Sequence, residues 1–331
     1  MRRIVPTSVA AVALVATAVA GAAQRGTSLS LVAYSTPREA YAKLIPMFQA
    51  TPQGKDVSFS QSYGASGDQA RAVQAGLKAD IVALSLAPDI DTLVKAGLVD
   101  PKWNRQSYRG MVTDSVVVFA VRDGNPKHLR SWDDLLKPGV QVITPNPFTS
   151  GGARWNVMAA YGAWRKLGKT KPQAQANLLQ LFQHVAVQDK SARDALNTFL
   201  AGKGDVLLTY ENEAISAQLA GQKVQYVIPR STILIENPIA VIRTSSNRNA
   251  ANAFIRFLKT PAAQQVFADR GYRPILKSVL ARNQKKFPVR PGQFTIDQLG
   301  LGGWTSVQKT FFDPSRGVMA TIERKVGGAT G

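Results

Sequence analysis

Between Leu29 and Ile242 short apolar runs alternate with longer stretches of helical period, and that alternation restricts the chain to an α/β architecture. Leu29–Tyr34 reads as a strand and Pro37–Phe48 as a helix, with Pro37 suited to a first helical position where its missing N–H costs nothing. In Val57–Tyr63 the residues Val57, Phe59, Gln61 and Tyr63 face one way and Ser58, Ser60 and Ser62 the other, a strand pattern. Ser66-Gly67-Asp68-Gln69 fits a capping box opening a helix through Leu77. Asp80–Leu86 reads as a strand, and Asp89 as the cap of a helix to Leu98. Further strands are expected at Ser115–Val121, Val140–Thr144, Val206–Tyr210, Val224–Ile228 and Pro238–Ile242. Further helices are expected at Trp132–Leu136, Gly151–Leu167, Pro172–His184, Ala192–Leu200, Glu211–Leu219, Asn249–Arg270 with a break at Pro261, and Val307–Lys325.

This many strands call for two mixed, mostly parallel sheets flanked by helices. Polar breaks followed by β-type residues near 112–115 and 236–239 mark two crossings between lobes. The expected division is a discontinuous lobe I, residues 27–113 plus 240–331, and a lobe II, residues 114–239. A double crossing acts as a hinge, with a ligand cleft between the lobes. Ligands on such sheets sit outside the carboxyl ends of strands, beside helix N-termini.

Residues 1–23 read as a secretory signal: Arg2 and Arg3, an apolar run from Ser8 to Ala20, and small-residue cleavage sites at Ala18-Val19-Ala20 and Ala20-Gly21-Ala22. That run is shorter than the roughly 20 residues a bilayer requires. The expectation is an exported, periplasmic or otherwise extracytoplasmic monomer. The chain contains no cysteine, which removes a lipobox, disulfides, thiol nucleophiles and Cys-based metal sites.

Charge narrows the partner. There are 41 Lys+Arg against 21 Asp+Glu, a net +20, or about +18 once the two signal arginines are gone. The densest basic clusters, Arg282 with Lys285-Lys286 and Lys169-Thr170-Lys171, are short and carry no interleaved aromatics, so nucleic acid is not an expected partner. Small anions or acidic wall material remain.

One segment fits a small anion. In Ile143-Thr144-Pro145-Asn146-Pro147-Phe148-Thr149-Ser150-Gly151-Gly152-Ala153-Arg154-Trp155 a strand ends, prolines stiffen the exit and Ser-Gly-Gly begins a helix. A helix start carries unpartnered N–H groups and partial positive charge, and glycine lets an oxyanion approach them. Ser150 either donates to such an anion or caps its own helix; its position allows both. Gln61-Ser62-Tyr63-Gly64-Ala65-Ser66-Gly67 and Ala33-Tyr34-Ser35-Thr36-Pro37-Arg38 repeat the grammar.

These motifs resemble the periplasmic sulfate/thiosulfate-binding proteins of ABC importers. The resemblance rests on Lys137 through Asn156, on Tyr63-Gly64-Ala65-Ser66-Gly67, and on Gly204-Asp205-Val206-Leu207-Leu208-Thr209-Tyr210-Glu211-Asn212-Glu213-Ala214. Phe294-Thr295-Ile296-Asp297 and Gly302-Gly303-Trp304 match as well. It implies a two-lobed, type II periplasmic-binding-protein fold that delivers its ligand to a membrane permease, with no cofactor and no metal. It implies donors at Ser35, Ser66, Gly151, Gly152 and Ala192, with the Ser150 hydroxyl alongside, and places Tyr210 where that family usually has an indole. Asp is usual at Ser35 and Gly at Ala65. A phenol donates or accepts, whereas an indole only donates. Arg38, Arg71, Arg154 and Arg193 adjoin the motifs, and capping or packing explains each as well as an ion pair to the anion.

Other chemistries find little support. Gly168-Lys169-Thr170 lacks the upstream glycine of a phosphate loop, Ala163 standing there, and no HExxH, GxSxG or GxGxxG occurs. His128 and His184 read as surface residues, and tyrosine-based ferric-ion capture lacks a cluster. The expected function is therefore a non-catalytic sulfate receptor. Thiosulfate, molybdate or phosphate is the alternative ligand, and a secreted sulfate- or phosphate-ester enzyme is the rival of another class.

Overall fold

In the computed structural model, which describes residues 26–330, strand and helix alternate much as their periodicity requires. The signal-like segment at 1–23 lies outside the described residues. The strands are β1 (Thr27–Tyr34), β2 (Val57–Gly64), β3 (Ile81–Ala83), β4 (Met111–Arg122), β5 (Val142–Pro145), β6 (Val185–Asp189), β7 (Val206–Tyr210), β8 (Val224–Val227) and β9 (Leu234–Val241). The helices are α1 (Arg38–Gln49), α2 (Ser66–Gln74), α3 (Ala87–Lys95), α4 (Gly151–Lys166), α5 (Lys171–Gln183) and α6 (Ala192–Leu200). They continue with α7 (Glu211–Leu219), α8 (Arg248–Leu258), α9 (Pro261–Asp269), α10 (Lys277–Arg282), α11 (Gly303–Phe311) and α12 (Val318–Val326).

The strand order β2-β1-β3-β9-β4-β7-β5-β6, with β8 on β4, is parallel at both flanks and antiparallel in the middle. β1 pairs with β2 and β3, and β5 with β6 and β7, all parallel, so each flank gathers its strand ends at one edge. The long strands β4 and β9 pair antiparallel where the two crossings were expected, Thr113 opposite Asn237 and Asp114 opposite Glu236, with a register shift between Met111 and Thr113.

Period-two burial clothes both faces of the sheet. Leu29, Leu31 and Ala33 pack with Tyr41, Phe48, Phe254 and Phe267 of α1, α8 and α9. Val32 faces the other way, into Ala70, Val73, Ile90 and Leu93 of α2 and α3. On the second flank Val116, Val118 and Ala120 meet α6 and α7 through Phe199 and Ala214, while Val117, Phe119 and Val121 meet α4 and α5 through Trp164 and Leu178.

Local expectations fail where a side chain has a better partner elsewhere. Ser66 and Gln69 form no capping box: Ala65 is the N-cap of α2, and the Ser66 hydroxyl turns inward to Asp89 at 2.6 Å. For the same reason Asp89 does not cap α3, whose N-cap is Leu86. Pro37 sits one position earlier than expected, as the N-cap residue of α1, its carbonyl accepting from Ala40 and Tyr41. β6 was not anticipated. The expected helix Val307–Lys325 is two, α11 and α12, because Pro314 lacks an N–H and Asp313 Oδ1 accepts from the amides of Ser315 and Arg316.

The tail departs from the division expected at residue 240. Val307, Phe311 and Met319 belong to the apolar cluster of α4 and α5, with the Phe311 ring 4.7 Å from Tyr161, centroid to centroid. There α12 carries a buried carboxylate. Glu323 is fully buried; its Oε2 accepts from Gln188 at 2.8 Å and its Oε1 has no partner. Burial pushes the carboxyl up to about 7, which the Gln188 bond only partly offsets. Its folded-state pKa thus lies above the unfolded value of about 4.3, so the stability cost is full above about pH 7, falls as pH drops between about 7 and 4, and is absent below. Glu323→Gln should raise stability by about 2 kcal/mol at pH 8 and by nothing at pH 4, read from urea unfolding. An equal gain at both pH values would show that the carboxylate charge is not the cause.

Candidate anion-binding site

Six strand-to-helix turns meet at one place: β1–α1 with Ser35, β2–α2 with Ser66, β3–α3 with Ser85, β5–α4 with Ser150, Gly151 and Gly152, β6–α6 with Ala192, and β7–α7 with Tyr210. Contacts link them in sequence. The Arg193 amide donates to Ser35 Oγ at 3.4 Å, and the Gly67 amide to the Thr149 carbonyl at 3.1 Å. The Ser85 amide donates to Ser66 Oγ at 2.9 Å, and Ser85 Oγ lies 2.6 Å from the Tyr210 hydroxyl. A Cβ on Gly152 would fall 2.8 Å from Tyr210 Cε2 and 3.4 Å from the Ala192 Cβ. All seven residues expected from sequence are thus brought together and buried.

The helix starts set what this place can do. Gly151 and Ala192 are the first residues of α4 and α6, where amides have no carbonyl a turn earlier to bind. Ser150 is the N-cap of α4, its Oγ accepting from the Ala153 amide at 3.4 Å. Accepting there leaves its own proton to donate, so the two readings of Ser150 are compatible. Ser66 differs, because its hydroxyl proton is committed to Asp89 and only its main-chain N–H remains. Burial raises the Asp89 pKa, against the charge of Arg154 at 3.6 Å and the Ser66 bond. Burial holds the Tyr210 phenol well above its usual range, so it is neutral at any physiological pH.

A model of bacterial extracellular solute-binding proteins matches residues 29–273. The chain belongs to that family. The sulfate-binding protein of Synechococcus elongatus is 43% identical over 88% of this chain and 85% of its own length. The thiosulfate-binding protein of Pseudomonas aeruginosa is 36% identical over 94% of this chain and 96% of its own. The structure of the sulfate-binding protein SubI from Mycobacterium tuberculosis superposes with a TM-score of 0.84 at 46% identity, covering 87% of this chain and all of that one.

In this solute-binding protein the arginines beside the turns are engaged by the protein itself. Arg38 lies over the Tyr63 ring at 4.5 Å, and Arg71 pairs with Asp68. Arg154 donates from Nε to the Pro147 carbonyl at 2.8 Å and faces Asp89. Arg193 has the richest set. It donates from Nε and Nη2 to Glu213 at 2.9 and 2.8 Å, from Nη1 and Nη2 to Glu39 at 2.6 and 3.0 Å, and from Nη2 to the Thr36 carbonyl at 3.2 Å. Those bonds tie the β1–α1 turn to α6 and α7.

Sequence reasoning missed Ser85. It is 1% exposed and held from several sides: its carbonyl accepts from Trp155 Nε1 and Asn237 Nδ2, each at 2.9 Å. The signal was present, since Leu84-Ser85-Leu86 is another strand exit with a hydroxyl just before a helix. Among the described residues no group of three or more His, Asp or Glu could hold a metal, and no helix is long and apolar enough to cross a membrane.

Proposed function

We propose that this protein is an extracytoplasmic receptor that captures sulfate between two lobes and delivers it to an ABC permease. The observation that carries the reading is the meeting of six helix starts in a buried place where the neighbouring guanidiniums are already taken by protein partners. Such a place offers a dianion neutral donors: the amides of Ser35, Ser66, Gly151, Gly152 and Ala192, and the hydroxyls of Ser150 and Tyr210. Hydrogen bonds to a charged group contribute about 1.5–3 kcal/mol each. Several of them offset desolvation and leave the roughly 8 kcal/mol that micromolar affinity requires. The lobes are residues 27–113 with the segment from 240, and residues 114–239. The tail α11–α12 packs on the second lobe, and β4 and β9 form the hinge.

Relatives named for sulfate and for thiosulfate support a receptor over a catalyst, with thiosulfate as second ligand. Residues 1–23 serve as the export signal of a periplasmic monomer. Calorimetric titration of the mature protein with sulfate, thiosulfate, molybdate and phosphate tests the assignment. Sulfate should release heat and, at a hundredfold excess over Kd, stabilise the fold by about 2.7 kcal/mol. No heat and no thermal shift with any of the four would defeat it.

A further inference from the structure

We propose that Ser85 is a specificity-determining residue, acting with Tyr210 as a reversible hydroxyl pair that lets the site take a tetrahedral oxyanion carrying one proton. The inference rests on the sulfate-receptor reading and extends its ligand class to singly protonated anions such as hydrogen phosphate. The pair is close and dry: Ser85 Oγ and the Tyr210 hydroxyl are 2.6 Å apart and both residues are 1% exposed. It lies against the start of α4. A Cβ on Gly151 would come 2.5 Å from Ser85 Oγ, and one on Gly152 3.3 Å from the Tyr210 hydroxyl. Both oxygens therefore lie directly against the start of α4, an approach that only glycine at these two positions permits.

Two bonded hydroxyls share one proton between them and leave one proton and one set of lone pairs over. When Tyr210 donates to Ser85, the Ser85 proton is free; when Ser85 donates, the phenolic proton is free. A fully deprotonated anion needs only that donor. An anion bearing O–H and O⁻ along one edge is matched by the same pair, donating from one oxygen and accepting on the other. Main-chain N–H groups cannot accept. The serine backbone is fixed at both ends, by its bonds to Ser66 and to Trp155 and Asn237, so only the protons reorganise. Ser66 does not substitute, because its oxygen already donates to Asp89 and accepts from the Ser85 amide.

The experiment compares wild type, Ser85→Ala, Tyr210→Phe and the double variant by calorimetry with sulfate and with inorganic phosphate, thermal unfolding showing that each variant is folded. In wild type, sulfate should bind more tightly and phosphate should give measurable heat. Either single variant leaves one lone hydroxyl, which can accept the proton of hydrogen phosphate or donate to its oxygen but no longer does both from two adjacent oxygens. Ser85→Ala and Tyr210→Phe should therefore each weaken phosphate more than sulfate. The double variant Ser85→Ala/Tyr210→Phe removes both hydroxyls of the pair, strands that proton and should weaken phosphate about tenfold more than sulfate. Wild type that binds sulfate without phosphate, or variants that lose both anions equally or neither, would overturn the role of Ser85 while leaving the receptor reading intact. Wild type that binds neither anion would overturn both.

Discussion

Gly152→Asp should lower sulfate affinity by a thousandfold or more, the largest single effect expected of any substitution in the site. Two causes act together. The position has no room, because its Cβ would sit 2.8 Å from Tyr210 Cε2, and the added carboxylate would face the doubly charged ligand. At about 4 Å and an effective dielectric near 20, each pair of like charges costs about 4 kcal/mol. Gly152→Ala separates the causes: it brings the crowding without the charge, and should cost about tenfold or less if the ring yields. Calorimetry reads both variants, with far-UV circular dichroism showing that helix content is kept. An aspartate variant within threefold of wild type would move the anion away from α4.

Arg193→Met should cost 3–5 kcal/mol of stability and weaken binding as well. The guanidinium holds Glu213, which is fully buried, and Glu39, and removing it leaves Glu213 without a counter-charge. The pH response carries the diagnosis. Burial tends to raise the Glu39 pKa, but the bond and charge of Arg193 win and lower it. In wild type that contribution is present above the unfolded pKa and is lost as pH falls through the folded one. In the variant the buried Glu213 carboxylate, already raised by burial, rises further. Its penalty is relieved by protonation, so the deficit should shrink as pH falls toward 5. Glu213→Gln added to Arg193→Met should recover much of the loss at neutral pH. A deficit independent of pH, with no recovery in the double variant, would show that the side chain acts by packing alone.

The contrast between Arg193 and Ser66 shows what a sequence exposes and what it hides. Strand and helix periods were readable because burial acts on every second or every third-to-fourth residue, and β7 with α7 came out with their bounds intact. The seven candidate residues were reached through three recurrent turns and a family resemblance, and the structure gathers them in one place. What the sequence concealed were choices between partners. Ser66 has the spacing of a capping residue, yet its hydroxyl meets a carboxylate 23 positions away. Arg193 could have served the anion, and only tertiary folding shows two glutamates reaching it first. Ser85 lay inside an apolar run, where a single hydroxyl reads as the outward side of a strand. β6 is partly exposed and only five residues long, so it has no burial pattern to betray it, and its absence hid that Ala192 begins a helix after a strand exit like the others.

The pairing of β4 with β9 has a mechanical consequence. Because both traverses of the chain are hydrogen-bonded to each other, they flex as one twisted ribbon and not as two independent tethers. A ribbon resists sliding along its length, where every bond would have to break at once, and yields to bending. The irregular pairing beside Val112 supplies a soft point for that bend. In the two-lobed reading proposed above, opening would resemble a leaf spring more than a swivel. One angle would then describe the whole excursion, and substitutions that stiffen this short stretch would retune capture and release without touching a single atom that meets the proposed guest.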